Sequence, residues 1–195
     1  MDKSEIEIID ATDLVSWEEV SRVLRTAHSS NVAKGIVLPY PHLPPEKLRE
    51  KVFDRGGRLF VAKAGDRIVG TGAIALIDKE LWCGKGKYAY SFLDSVLPEY
   101  AGQGIYRGIA QAQEQYALNN GVKRLFLDTD ERNLRIQEIS KRNGYKLVDY
   151  RVRGDHDSVV LVKWLSGCPY SDASIWVRYR AIRLKRKISH LVHGK

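Results

Sequence analysis

The chain has 195 residues, 44% of them apolar, enough to bury one core without disulfide or metal staples. Its net charge of +8 is concentrated at one end: residues 166–195 hold seven Lys or Arg against one Asp, +6 of the total, so any argument about polyanions or membranes concerns that tail. Cys83 and Cys168 form neither a disulfide framework nor a metal-ligand spacing, no apolar run reaches membrane-spanning length, and Met1–Glu5 lacks the basic and apolar regions of a secretory signal, so a cytoplasmic protein without a metal is expected.

In chain order, Glu5 to Asp10 alternates polar and apolar residues and predicts a first strand. Thr12 or Asp13 then caps a helix whose apolar positions are Leu14, Trp17, Val20, Val23, Leu24 and Ala27. Residues 28–45 carry four prolines with Tyr40 and His42 among them, too long and aromatic for a mere connection. Glu46 to Phe53 predicts a short helix with Pro45 at its start and Gly56-Gly57 at its end. A hairpin follows from Arg58 to Ala64 and Arg67 to Ile77, turning at Gly65-Asp66. A loop with Trp82 and glycine–lysine pairs leads to a fourth strand, Tyr88 to Leu97. Ile105 to Asn119 reads as a helix, Arg124 to Thr129 as a strand, and Asn133 to Asn143 as a helix with Ile136 and Ile139 inward and Gly144 as its stop. Tyr145 to Arg153 and Ser158 to Trp164 alternate as a closing antiparallel pair.

The most informative stretch runs from Phe92 to Gly108, where an apolar strand passes through a proline corner into glycines placed at a helix start. Gly102 and Gly104 permit positive φ, so successive N–H groups can converge on an anion with the first-turn donors of the helix and its dipole. A P-loop is excluded, because neither Gly84-Lys85 nor Gly86-Lys87 is followed by Ser or Thr. A dinucleotide-binding fold stays open as a minor alternative: Asp128 ends the next strand, but Pro98-Glu99-Tyr100 intervenes and the third glycine, Gly108, comes one place late.

The element order, with Val96-Leu-Pro98-Glu99-Tyr100-Ala101-Gly-Gln-Gly104-Ile-Tyr106 after the fourth strand and Asn133 followed by Gly144-Tyr145, resembles the GNAT superfamily of acyl-CoA-dependent N-acyltransferases over roughly residues 4–165. The resemblance implies an α/β fold with a mixed, mostly antiparallel sheet whose fourth and fifth strands splay apart, as an N-acetyltransferase domain over residues 1–165. It implies acetyl-CoA as donor and a primary amine on a small molecule, peptide or protein as acceptor. Backbone groups near Ser95 and Val96 would bind the pantetheine amides as an added strand, and Ala101, Gly102, Gln103, Gly104, Ile105 and Tyr106 would cradle the pyrophosphate. Arg107 either adds charge there or is simply solvated. Asn133 hydrogen-bonds the cofactor, caps its helix, or does both.

Direct transfer needs a neutral amine, a stabilised oxyanion and a proton for the leaving thiolate. The Tyr and Glu that the family often uses fall on Ser140 and Tyr90, so both usual groups are missing. Tyr88, Tyr90 and Asp94 are spaced to share one strand face, and the base is expected to be Asp94 or an ordered water, with Tyr90 and Ser140 as further catalytic candidates and packing as the alternative for each tyrosine. Tyr40, His42, Trp82 and Tyr88 are the candidates for the acceptor pocket. A catalytically silent CoA-binding module is the alternative from another class.

Residues 166–195 form a separate basic extension. Ala173, Val177, Ala181, Leu184, Ile188, Leu191 and Val192 fall on one helical stripe flanked by Arg178, Arg180, Lys185 and Lys187. The stripe is expected to dock on the domain or on a second subunit as a homodimer, with an anionic membrane or nucleic acid over residues 173–192 as the alternatives.

Overall fold

The computed structural model describes residues 5–38, 40–152 and 156–193; Pro39, Arg153 at the end of an expected strand, and the last two residues of the basic tail lie outside them. Two compact units divide the chain, one of residues 1–77 with 89–122 and one of residues 78–88 with 123–195. The strands are β1 (Ile6–Asp10), β2 (Arg58–Ala64), β3 (Arg67–Leu81), β4 (Gly84–Val96), β5 (Arg124–Asp130), β6 (Lys146–Val152) and β7 (Asp157–Trp164). They form a seven-stranded sheet in the order β1-β2-β3-β4-β5-β7-β6. β1 with β2, β2 with β3, β5 with β7 and β6 with β7 pair antiparallel, while β4 and β5 run parallel. The dinucleotide alternative falls with this topology, since that fold needs an open, mostly parallel sheet.

In the first unit, α1 (Trp17–Ala33) and α2 (Pro45–Phe53) bury Trp17, Val20, Val23, Leu24, Leu48 and Val52. The cap of α1 is Ser16, whose Oγ accepts from Glu19 N at 3.4 Å, rather than Thr12 or Asp13. Thr12 is occupied otherwise: its hydroxyl donates to Asp10 Oδ1 at 2.6 Å and accepts from Leu59 N at 3.0 Å, tying the end of β1 to β2. With the helix starting later, Leu14 lies outside it and is 78% exposed.

α3 (Ile105–Asn119) packs on β1 and β2, and glycines permit its close approach. A Cβ on Gly72 would meet Ile109 Cγ2 and Asp94 Oδ1 at 2.5 Å, and one on Gly108 would collide with the side chain of Ile8. A larger residue at Gly72 would force Ile109 and the Asp94 carboxylate to shift, whereas at Gly108 the clash is with the far end of the Ile8 side chain, which can turn aside.

The expected loop over residues 78–87 is a hairpin. β3 continues to Leu81, Trp82 and Cys83 make the turn, and β4 starts at Gly84. In the second unit α4 (Leu134–Arg142) buries Gln137 and Ser140, whereas Ile136 and Ile139, expected to point inward, are only partly covered. The unit closes with α5 (Asp172–His193), which packs on β6.

Candidate functional site

The glycine turn is positioned by its flanks. Leu97 is fully buried and its N–H donates to Val69 O at 2.9 Å, fixing the end of β4 to β3. A single 3-10 turn over Pro98–Tyr100 follows, held by Arg67, which pairs with Glu99 at 2.8 Å and lies 5.9 Å from the Tyr100 ring centroid. Gly102 and Gly104 both have φ near +80°, and Gly104 is the left-handed N-cap of α3. The N–H groups of Gly102, Gln103, Gly104, Ile105 and Arg107 have no acceptor among the described residues. Residues 101–104 and Arg107 are exposed. Five open donors at a helix N-terminus form an anion site without any side chain. The donor set fits a diphosphate, and nothing nearby would obstruct one, since even a Cβ on Gly102 or Gly104 would meet no atom within 4 Å.

Just before this turn, Leu93 has φ +59°, a left-handed conformation in a non-glycine residue. This bulge in β4 breaks the two-residue alternation and separates Tyr90 from Asp94, which the spacing had put on one face. Asp94 turns beneath α3: its Oδ1 accepts from Gln113 Nε2 at 2.8 Å and its Oδ2 from Ser91 Oγ at 2.5 Å. Burial pushes its carboxyl up to about 7, opposed by those two hydrogen bonds.

Tyr90 faces the other way. Its ring stacks on Phe92 at 5.1 Å between centroids, and its hydroxyl lies 3.1 Å from that of Tyr40 in the α1–α2 connection. Two of the expected residues therefore come together. Arg55, which the sequence did not single out, places its guanidinium 5.2 and 5.3 Å from the Tyr90 and Phe92 ring centroids. Its Nη1 is buried with no hydrogen-bond partner among the described residues. His42, in the same connection, is exposed.

His28 on α1 is a second residue missed by the sequence reading. Its Nε2 lies 2.8 Å from the hydroxyl of buried Ser95, and burial lowers its pKa to about 4, so the ring is neutral near pH 7. Asn31 Nδ2 approaches Nδ1 at 3.4 Å, which leaves the ring proton on Nε2 to be donated to Ser95 Oγ. The Ser95 hydroxyl is then free to donate onward.

The remaining candidates sit in the second unit. Tyr88 is fully buried; its hydroxyl donates to Gly84 O at 2.8 Å and accepts from Arg124 Nη1 at 3.0 Å, and burial raises its pKa. Trp82 donates Nε1–H to Val148 O at 2.6 Å, packs edge-on against Tyr170 at 5.1 Å, and lies under Arg178 at 5.1 Å. These contacts hold Tyr88 and Trp82 in place within the second unit. Asn133 is the N-cap of α4: its Oδ1 accepts from Ile136 N at 3.5 Å and its Nδ2 donates to Thr129 Oγ1 at 3.3 Å. Ser140 is fully buried, and its hydroxyl has no partner among the described residues.

A mixed, mostly antiparallel sheet with an open-amide turn between β4 and α3 defines an α/β protein whose turn can accept an anion. The model of the Acetyltransferase (GNAT) family matches residues 17–145, and the chain belongs to that family. It is a GNAT N-acetyltransferase. Solved structures with the same fold include the PaiA N-acetyltransferase from Thermoplasma acidophilum in complex with coenzyme A, 18% identical, TM-score 0.64, covering 82% of this chain and 99% of that one. A GNAT acetyltransferase from Elizabethkingia anophelis with acetyl-CoA bound is 16% identical, TM-score 0.56, over 85% and 100% of the two chains. The ribosomal-protein-S18-alanine N-acetyltransferase from Escherichia coli is 14% identical, TM-score 0.63, over 86% and 99%. No curated protein matches the chain.

Proposed function

We propose that this acetyltransferase carries an acetyl group from acetyl-CoA to a primary amine of a small molecule or peptide by direct attack within a ternary complex. The observation that carries the reading is the turn over residues 101–107, whose glycines at φ near +80° leave five N–H groups open at the start of α3. Relatives with the same fold have been solved with coenzyme A and acetyl-CoA bound, which supports the same donor here. The diphosphate would rest on these amides, with the exposed Arg107 adding charge. Ser95 and Val96 would hold the pantetheine amides, the Ser95 hydroxyl being aimed by His28.

The acceptor would meet the Tyr40–Tyr90 hydroxyl pair, with Arg55 against the Tyr90 and Phe92 rings. Both Asp94 oxygens are engaged beneath α3. That favours an anchoring role for Asp94 and an ordered water as the base. Orientation of both reactants supplies much of the acceleration without further side chains.

Ser140 is testable separately. A buried hydroxyl without a partner costs roughly 1–3 kcal/mol in desolvation, so Ser140→Ala is expected to keep or raise the melting temperature. Turnover staying within about threefold of wild type, well under the 10²–10⁴ of a general acid, would exclude Ser140 as the proton donor to the thiolate.

Thiol release from acetyl-CoA over a panel of primary amines tests the function itself. Amine-dependent release, saturable in both substrates and without a burst, is the expected result. Tight acetyl-CoA binding with no release on any amine would instead make the chain a silent CoA-binding module.

A further inference from the structure

The basic helix α5 docks with a different face from the one its apolar stripe predicts. Ile175 and Tyr179 are buried, 3% and 8% exposed. Beside them Arg183 pairs with Glu131, Arg186 with Asp149 at 3.1 Å, and Lys187 with Glu131 at 3.5 Å and Asp157 at 3.8 Å. The stripe is left facing solvent: Val177, Leu184, Ile188, Leu191 and Val192 are 51–83% exposed, and a shallow groove runs along Ala181, Leu184, Ile188 and Val192. A continuous apolar row of this kind on an otherwise charged helix marks an interaction surface.

Charge decides the occupant. The row is flanked by Arg178 and Lys185 on one side and Arg180 on the other, and none of the three has a carboxylate partner among the described residues. The one acid between residues 166 and 195 is Asp172, already paired with Lys146 at 3.0 Å. A second copy of the helix would bring the same cations against these. A nucleic acid would engage the cations and leave the apolar row wet. An anionic lipid surface satisfies both features at once, with the row at the acyl boundary and the cations among the headgroups. Among the described residues no helix is long and apolar enough to cross a membrane, so this one would lie in the surface.

We propose that α5 seats the protein on an anionic membrane surface through Val177, Ala181, Leu184, Ile188, Leu191 and Val192, flanked by Arg178, Arg180 and Lys185. The docked face of the helix, already occupied within its own unit, makes α5 a rigid foot rather than a segment that must fold on binding.

The test is flotation of the full chain with vesicles of phosphatidylcholine alone or mixed with phosphatidylglycerol, at low and high salt. Binding to the mixed vesicles, at least about tenfold tighter than to the neutral ones and weakened by salt, is expected. The Leu184→Asp/Ile188→Asp variant is expected to lose at least about tenfold of that binding with an unchanged melting temperature and coenzyme A affinity. Equal or absent binding to the two vesicle types overturns the proposal. So does binding that survives in the double variant, the mark of a purely charged contact as with nucleic acid. A wild-type dimer that the double variant converts to monomer, without vesicle binding, assigns the stripe to a second copy and overturns it too.

Discussion

Replacing Gly104 with valine is expected to weaken coenzyme A binding by over a hundredfold while leaving the fold intact. Gly104 caps α3 at φ +80° and ψ 0°, a conformation in which a β-branched residue is a genuine outlier. Holding valine there costs about 1–3 kcal/mol, so the turn either stays strained or rotates its peptide planes out of register. Rotation redirects the N–H groups of Gly104 and Ile105, which belong to the two peptides flanking its Cα, each a charge-assisted donor of roughly 1.5–3 kcal/mol to a phosphate. Losing two of them weakens binding by about 3 kcal/mol or more, over a hundredfold. The fold is spared because the position is exposed and a Cβ there meets no neighbour within 4 Å. Gly108→Val is expected to leave the turn and coenzyme A affinity unchanged, since its Cβ meets only the far end of the Ile8 side chain, with at most a modest fall in melting temperature. Calorimetric titration with coenzyme A, paired with thermal melts, checks both. Unchanged affinity in Gly104→Val would remove the turn from the binding site.

The stability of the first unit is expected to carry two opposed proton linkages that single substitutions unmask. His28 is lowered from 6.5 to about 4, so between these values the unfolded chain binds a proton the folded one does not, and this linkage lowers stability as pH falls from 6.5 to about 4. Asp94 is raised from 3.8 to about 7, so the folded chain holds the extra proton, and stability falls as pH rises through that window. Each linkage is worth on the order of 2–3 kcal/mol once partial exposure is discounted. From about pH 4 to 6.5 they cancel. Asp94→Asn is therefore expected to lose stability on acidification over that range relative to wild type. His28→Gln is expected to lose it as pH rises toward 7. Urea denaturation at a series of pH values reads both differences, and an Asp94→Asn profile parallel to wild type would contradict the burial of that carboxyl. The same variant separates anchor from base: an anchor leaves turnover within a few-fold, whereas a base loses about a hundredfold or more together with its pH limb.

Much of this site was legible in the sequence, because glycine and proline mark it. The turn and the start of α3 at Ile105 followed from Gly102, Gly104 and Pro98, residues whose backbone limits are local and read without context. The bulge at Leu93 left no such mark. An apolar Phe92-Leu93 pair looks like any buried strand, and tertiary contacts hold the positive φ: Thr71 Oγ1 donates to Leu93 O at 2.8 Å, while Ser91 and Gln113 fix the next residue. That hidden step moved Asp94 away from Tyr90. The hairpin over residues 78–87 was missed because Lys79, Glu80, Lys85 and Lys87 give it no apolar alternation. His28 and Arg55 were single polar residues whose partners, Ser95 and the Tyr90–Phe92 rings, lie far along the chain. In α5 the apolar stripe was legible, but not that the domain would take a different face of the helix, the one with Ile175 and Tyr179. The acids that capture the other face, Glu131, Asp149 and Asp157, come from elements far earlier in the sequence.

The measurement that bears most directly on the central claim is an amide nitrogen–proton correlation spectrum of the protein titrated with coenzyme A. The backbone N–H groups of Gly102, Gln103, Gly104, Ile105 and Arg107 should move downfield together and saturate at one affinity, as donors to a diphosphate do. Saturable binding that shifts other amides and leaves these five in place would contradict the claim that the turn between β4 and α3 holds the cofactor.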